Sequence, residues 1–209
     1  SEEIALSGAQ TIPDVLKRTL GVFVTSKGSS KLTTVDIRGF GDTASRNILV
    51  LVNDRRVNAV DMSGADLVQI PLEAVERIEV IRGAGTVLYG DNAVGGVINI
   101  VTKEGKGPAR VSVGTAYGSY DRRSGDVEVS GSEKGLSYFA YGRYADDKGY
   151  RQNSDVLARD ANGRFGYEFS DKLGMEIEVV FHEDDTRLPS GLDEAELAQY
   201  GRRHSTNPN

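Results

Sequence analysis

Gly83 and Gly85 give the chain its most suggestive chemical pattern, because they follow an apolar segment that reads as a strand. A Gly-x-Gly turn after a strand is typical of dinucleotide-binding proteins, in which amides at a helix N-terminus hold pyrophosphate. That fingerprint requires a third glycine where this chain has Leu88, and Gly90 interrupts the helix that should follow. The pattern therefore disfavours a nucleotide-dependent enzyme, and binding of NAD or FAD is its direct test.

Other side chains that could do chemistry are scattered. The two histidines, His182 and His204, lie far apart without metal-ligand spacing around either. The acidic positions lack the spacing of a calcium loop, which favours solvated carboxylates; they are Asp146, Asp147, Asp155, Asp184 and Asp185. No serine sits in a nucleophile elbow and no phosphate loop is present. We therefore predict no enzymatic activity, no cofactor and no metal site.

Composition narrows the class of protein. The net charge is -6, and no basic cluster is long enough to follow a phosphate backbone, so nucleic acid is disfavoured as a partner. With 25 glycines, 9 tyrosines and no tryptophan the chain reads as β-rich. The absence of cysteine excludes disulfides and cysteine-ligated zinc without fixing the compartment.

The longest apolar run, Ile48–Val52, is far shorter than the ~20 residues that a transmembrane helix needs. Strands that cross a membrane alternate apolar and polar residues, so this test leaves them open. The chain shows no signal peptide and starts in mid-pattern at Ser1, and we expect it to be processed or cut.

The glycines lie within a compact predicted unit, residues 75–103. Residues 77–81 read as a short strand, residues 86–89 as one or two helical turns, and residues 97–101 as a second strand after the Gly95-Gly96 bend. Clustered glycines allow close backbone approach and positive φ.

Upstream, Thr11 caps a predicted helix that Gly21 ends. Its apolar face is formed by Ile12, Val15, Leu16 and Leu20. Residues 34–39 predict an alternating strand, and the apolar run at 48–52 predicts a strand covered on both faces. Asn53-Asp54-Arg55-Arg56 then predicts a hairpin turn.

Residues 103–108 read as a linker, and beyond it the pattern changes to alternating segments separated by turns, as in a barrel. The five segments lie at 110–117, around 126–130, and at 136–144, 162–169 and 173–181. Their apolar sides would meet lipid in a barrel and a core in a soluble sandwich, and periodicity does not separate the two. Residues 192–200 predict a short surface helix.

The stretch VERIEVIRGAGTVLYGDNAVGGVINIVTK resembles the end of the plug domain of TonB-dependent outer-membrane receptors. That pattern is close to V-x-x-I-E-V-I-R-G-x-x-S-x-x-Y-G-x-x-A-x-G-G-x-I-N-I-x-T, with Thr86 here at the usual serine. The string from Asp14 to Val22 also resembles the family's early plug helix. Arg55 stands where the family has the glycine of an Asp-Gly turn, which leaves the turn type open.

The resemblance implies an α+β plug domain, a small mixed sheet with short helices, over residues 1–104. Residues 109–209 would be the first antiparallel strands and a loop of a truncated transmembrane β-barrel. Plugged transporters have ~22 strands, so five segments imply a fragment whose open sheet edges invite self-association.

The resemblance also implies a function. The parent would be a receptor in the outer membrane of a Gram-negative bacterium that imports a scarce metal chelate: siderophore-bound iron, cobalamin or haem. TonB would drive it through an N-terminal box absent here, and outer-membrane lipid would surround the barrel. The order of motifs is most similar to the cobalamin and colicin receptor branch.

Two groups of site residues follow from the resemblance. Arg38 and Arg82, which both precede a glycine at a strand end, would lock the plug to barrel carboxylates, or pair locally with Asp36 or Glu79. Two apical loops would face the external ligand, and their residues are Ser26, Lys27, Gly28, Ser29, Asn58, Ala59, Asp61 and Ser63.

The main alternative is a soluble two-domain protein: a small α/β binding domain followed by a β-sheet domain, for example for carbohydrate. It predicts a monomer with a closed core in plain buffer.

Overall fold

The computed structural model describes residues 4, 7–9, 11–26, 33–59, 64–83 and 85–207. The chain divides into two compact units, residues 1–103 and 104–209. Each unit has its own strands and hydrogen bonds.

The first unit begins with a short helix and two hairpin-like pairings. Its elements in chain order are α1 (Ile12–Leu16), β1 (Val22–Ser26), β2 (Thr33–Ile37), α2 (Ala44–Asn47), β3 (Ile48–Val52) and β4 (Arg55–Arg56). Short 3-10 turns lie at Gly41–Thr43, Leu67–Gln69 and Leu72–Ala74. Strands β1 and β2 pair antiparallel as a separate two-stranded sheet.

Helix α1 is shorter than the sequence predicts. Thr11 and Asp14 form the capping box that starts it, but after Leu16 the amides of Arg18 and Thr19 donate to carbonyls three residues back, which tightens the chain into a turn. Leu20, predicted on the buried face, is therefore 85% exposed.

A four-stranded sheet forms the centre of the first unit. It adds β5 (Val75–Arg82), α3 (Thr86–Tyr89) and β6 (Gly96–Thr102), and its strand order is β4-β3-β6-β5. Strand β6 runs parallel to β3 and antiparallel to β5. All five residues of β3 are buried, as the uninterrupted apolar run predicts. Alternate residues of β3 enter two separate apolar clusters, one on each face of the sheet.

The second unit is a five-stranded antiparallel sheet in simple sequence order. Its strands are β7 (Arg110–Gly118), β8 (Arg122–Glu133), β9 (Leu136–Asp147), β10 (Val156–Ser170) and β11 (Leu173–Thr186). Each of the five predicted segments lies in one strand. The sheet does not close: β7 and β11 each have one neighbour among the described strands.

One face of this sheet is apolar and exposed. Val111 and Val113 on β7 are 71% and 73% exposed, and Val179 on β11 is 59% exposed. Because side chains alternate along a strand, these residues share a face with the aromatic residues of β10. The described part of the second unit contains no other sheet that could cover this face.

The opposite face is polar and partly buried. Register places Asp126, Arg143, Asp160 and His182 in one row across four strands, with Arg143 between the two aspartates. His182 lies between two carboxylates: Nδ1 is 2.7 Å from Asp160 Oδ1, and Nε2 is 3.2 Å from Asp184 Oδ1. Pairing across strands satisfies polar groups that have little contact with water.

After β11 the chain forms helix α4 (Glu194–Tyr200), started by a capping box of Asp193 and Glu196. None of the helices in the described part of the chain is long and apolar enough to cross a membrane. The predicted fold class, a mixed sheet with short helices followed by antiparallel strands, is confirmed.

Candidate functional site

The glycine turn after β5 packs against the chain that leads into β6. Gly85 N donates to Ala93 O at 2.7 Å, and Gly83 N donates to Gly95 O at 3.4 Å. Both backbone amides therefore donate to carbonyl groups of the same chain. In a dinucleotide-binding turn the corresponding amides would be free to bind phosphate. A Cβ on Gly85 would lie 2.9 Å from Val97 Cγ2, so the residue must be glycine for the turn to rest on β6.

Asn99 is a polar side chain in the middle of the apolar strand β6, flanked by Ile98 and Ile100, and it is 7% exposed. Its Nδ2 donates to Asp54 Oδ1 at 2.9 Å and to Glu79 Oε2 at 3.2 Å, and its Oδ1 accepts from Asp54 N at 3.3 Å. One amide therefore ties the β3–β4 turn to β5. Sequence reasoning did not single out Asn99; the signal was a lone polar residue in a run of valine and isoleucine.

Glu79 has a second partner besides Asn99. Arg77 Nε donates to Glu79 Oε1 at 2.7 Å. The hydrogen bond from Arg77 first, and then that from Asn99, hold the pKa of Glu79 below its usual value. Glu79 is thus an ionised carboxylate on the sheet surface that joins Arg77 and Asn99.

The hairpin turn left open by the sequence has Asn53 and Asp54 at its centre. Val52 pairs with Arg55, and both central residues have positive φ, 48° and 62°. Two positive φ values at a two-residue loop define the type I′ geometry, and asparagine and aspartate tolerate it. Asn53 also bridges to Thr102: its Oδ1 accepts from Thr102 N at 2.9 Å.

Asn58 and Ala59 are the two predicted apical-loop residues, besides Ser26, that fall in the described chain. The Asn58 amide replaces a strand partner for β3: Oδ1 accepts from Val50 N at 2.7 Å, and Nδ2 donates to Ile48 O at 2.9 Å. Ala59 N donates to Gly64 O at 2.8 Å, which closes the base of the loop. Ser26 ends β1. Lys27, Gly28, Ser29, Asp61 and Ser63 lie outside the described residues.

Arg38 and Arg82 lie at the same end of the first unit. Arg38 has a φ of 76°, and the turn that presents it is held by Asp36, whose carboxylate accepts from Phe40 N and Gly41 N. Arg38 Nη2 is 3.5 Å from the Cβ position of Gly83, the neighbour of Arg82. Both arginines are exposed.

The predicted local pairing of these arginines is not what the structure has. Asp36 is occupied by backbone amides, and Glu79 by Arg77 and Asn99. Within the described chain, neither Arg38 nor Arg82 has an ion pair. Their guanidinium groups lie on the surface of the first unit, that of Arg82 beside Gly21 and that of Arg38 beside Gly83.

Several of the acidic positions of the second unit have cationic or hydroxyl partners. Asp146 contacts Lys148 at 3.2 Å, Asp155 contacts Arg187 at 3.4 Å, and Thr186 donates to Asp184 at 2.8 Å. Among the residues that the structure describes, no group of three or more histidines and acids is arranged to hold a metal ion.

Comparisons with known proteins agree with this architecture. Residues 1–97 match the family model of the TonB-dependent receptor plug domain. The vitamin B12 transporter BtuB of Photobacterium profundum is 32% identical over 195 residues, which are 88% of this chain and 32% of that protein.

Solved structures give the same result for the fold. The pyoverdine outer membrane receptor FpvA of Pseudomonas aeruginosa has a TM-score of 0.74 at 19% identity, covering 88% of this chain and 27% of that one. The siderophore receptor PirA of Acinetobacter baumannii has a TM-score of 0.65 at 27% identity, covering 86% and 30%.

The chain spans about a third of the length of the relatives it matches. Those relatives are transporters and receptors and not enzymes. The plug domain model covers the first unit up to residue 97, and the sequence is similar to proteins of the vitamin B12 transporter branch. The chain belongs to the TonB-dependent receptors, which are outer-membrane proteins of Gram-negative bacteria.

Proposed function

We propose that this chain supplies the plug, residues 1–104, and the first barrel strands, within residues 109–209, of a receptor that imports a scarce metal chelate. Cobalamin is the first candidate for the chelate, because a relative at 32% identity is a vitamin B12 transporter. Iron–siderophores come second, since PirA is a siderophore receptor at 27% identity, and haem is the third class. TonB supplies the energy by rearranging the plug.

The observation that carries this proposal is the exposed apolar face of the second unit. A soluble β-sheet protein buries its apolar face against a second layer. Here Val113, Ile177 and Val179 are 73%, 51% and 59% exposed on a single-layer sheet. Such a face is suited to lipid, which favours a receptor wall over the soluble two-domain alternative.

Arg38 and Arg82 fit the proposed lock between plug and barrel. Two exposed guanidinium groups without an ion pair in the described chain can donate hydrogen bonds to carboxylates of strands elsewhere in the receptor. Arginine suits this task because its planar fork binds a carboxylate through two parallel hydrogen bonds.

The apical loops remain the proposed ligand-facing surface, with one distinction among their residues. Both polar atoms of the Asn58 amide already serve β3. We therefore propose that Asn58 holds the base of its loop and that residues 59–64 present the loop to the ligand.

Uptake by intact cells tests this function. The gene is deleted in its host, and import of radiolabelled cyanocobalamin, a ferric siderophore and haem is measured with and without an uncoupler of the proton gradient. We expect loss of uncoupler-sensitive import of one chelate class, restored by the gene. Unchanged import of all three classes would contradict the proposal.

A further inference from the structure

The segment between β6 and β7 is predicted as a linker, but its residues make hydrogen bonds and ion pairs with parts of the chain that precede and follow it. Lys103, the last residue of the first unit, donates its backbone N–H to Ala74 O at 2.8 Å within that unit. Glu104, the next residue, accepts from Arg164 of the second unit, with Oε1 and Nη2 2.9 Å apart. The two sets of contacts are made by consecutive residues.

Gly105 is buried and fits its position only because it lacks a side chain. A Cβ on Gly105 would overlap the carbonyl oxygens of Tyr138 and Gly131, which are backbone atoms of β9 and β8. Backbone atoms inside a paired sheet have little freedom to move aside. Residue 105 is therefore packed directly against the sheet.

Gly107 makes a reciprocal pair with Ser132 on β8. Ser132 N donates to Gly107 O at 2.7 Å, and Gly107 N donates to Ser132 Oγ at 2.9 Å. Gly107 has a φ of 70°, a conformation that glycine adopts without strain. This pair fixes the far end of the segment.

Arg164 holds the near end from β10. Its side chain is only 11% exposed, and the same Nη2 that contacts Glu104 also lies 2.9 Å from Glu176 on β11. A cation with so little water around it depends on its carboxylate partners, so the Glu104 contact is costly to break.

We propose that Glu104–Gly107 are a built-in anchor by which the second unit holds the chain, independently of whether the first unit is folded. The anchor rests on the proposed function for its purpose. When TonB pulls on the plug, rearrangement stops at Lys103, and β7 onward stays in register. The segment is thus the fixed end against which the plug is pulled.

Limited trypsin digestion of the whole chain in detergent tests the anchor. Lys106 is a suitable reporter because its side chain is 64% exposed and its 3.7 Å contact with Glu104 Oε2 lies at the surface, so protection should come chiefly from the held backbone. The first unit is destabilised by Ile98→Asn, since Ile98 is fully buried in its core. Cleavage after Lys17 and Arg77 reports on the first unit, and cleavage after Lys106 reports on the anchor.

In Ile98→Asn we expect cleavage after Lys17 and Arg77 to accelerate on the order of tenfold or more, because protease reaches locally opened states. Cleavage after Lys106 should stay at the wild-type rate. Adding Arg164→Ala should release Lys106, whereas Arg159→Ala should not. Arg159 is the matched control: it lies on the same strand, but its ion pair with Glu183 is exposed.

Gly105→Ala should also accelerate cleavage after Lys106 in the otherwise unchanged chain. If the Gly105→Ala protein does not accumulate, Arg164→Ala tests the anchor alone. Two results would overturn the anchor: Lys106 cleaved in parallel with the first unit in Ile98→Asn, or Arg164→Ala indistinguishable from Arg159→Ala. Loss of the proposed function would show as absent chelate import, which leaves the digestion pattern unaffected.

Discussion

Asn99 Nδ2 lies 2.9 Å from Asp54 Oδ1, a bond between the last strand of the plug sheet and a hairpin turn 45 residues earlier in the chain. The same amide also reaches Glu79 on β5. Asn99 therefore connects three neighbouring segments of the sheet, β3–β4, β6 and β5, through one buried side chain.

Replacing Asn99 by alanine should weaken the first unit. The change leaves Asp54 and Glu79 without their shared donor, and we expect a loss of about 2 kcal/mol in the free energy of unfolding. Asn99→Asp should cost more at neutral pH, because it places a third carboxylate beside two others, and the excess should shrink in acid. Urea unfolding at pH 7 and pH 4 measures both variants; equal stability of wild type and Asn99→Ala would show that the network contributes nothing.

Glu79 gives the first unit a specific pH dependence. Its pKa is lowered in the folded state, chiefly by the Arg77 hydrogen bond. Its contribution to stability is therefore complete above the unfolded-state pKa and is lost as the pH falls through the lower folded-state pKa.

Glu79→Gln should consequently be less stable than wild type at neutral pH and equal to it in strong acid. Chemical denaturation across this pH range compares the two proteins. A stability difference that persists unchanged in acid would mean that the ionised carboxylate is not the source.

Asn58 should behave as a structural residue. Asn58→Ala leaves Val50 N and Ile48 O of β3 without partners, and we expect a loss of about 1 kcal/mol. Arg56→Ala, which removes only an exposed ion pair with Asp91, is the control and should change stability little. Chelate binding by the receptor should fall no further than the loss of folded protein explains; a larger fall would make Asn58 a ligand contact.

Arg203 attaches the end of the chain to two loops. Its guanidinium carbon lies 5.7 Å from the ring centroids of both Tyr120 and Tyr150, and its carbonyl accepts from Gln152 N at 2.7 Å. Arg203→Ala should raise hydrogen exchange at the Gln152 amide several-fold, since each cation–π contact contributes roughly 0.5–1 kcal/mol. The neighbouring Arg202→Ala should have no effect. Equal exchange at Gln152 in both variants would show that the Arg203 side chain does not hold this part of the chain.

Sequence patterns predicted most of the strands because their signals are local. The apolar run of β3 and the alternation of β10 and β11 each determine what the strand can bury. The length of α1 was wrong because Leu20 fits the helical period, yet the chain tightens after Leu16. Apolar periodicity does not predict the residue at which a helix ends.

The site was harder to predict because its contacts are distant in sequence. Asn58 was predicted to lie in a ligand-facing loop, and the hydrogen bonds of its amide to β3 join it to residues eight and ten positions earlier in the chain. The role of Gly105 depends on carbonyl groups of two other strands. Neither relationship leaves a pattern in neighbouring residues.

The lipid-facing sheet is the central claim, and adjacent residues of β11 test it most directly. The chain has no cysteine, so single cysteines at Val179 and Val180, which point to opposite faces, can each carry a nitroxide label in bilayer-reconstituted protein. We predict that the label at 179 is accessible to oxygen and shielded from a water-soluble nickel chelate, and that the label at 180 shows the lower oxygen accessibility. Equal accessibility at both positions, or the reverse order, would contradict an outer-membrane wall.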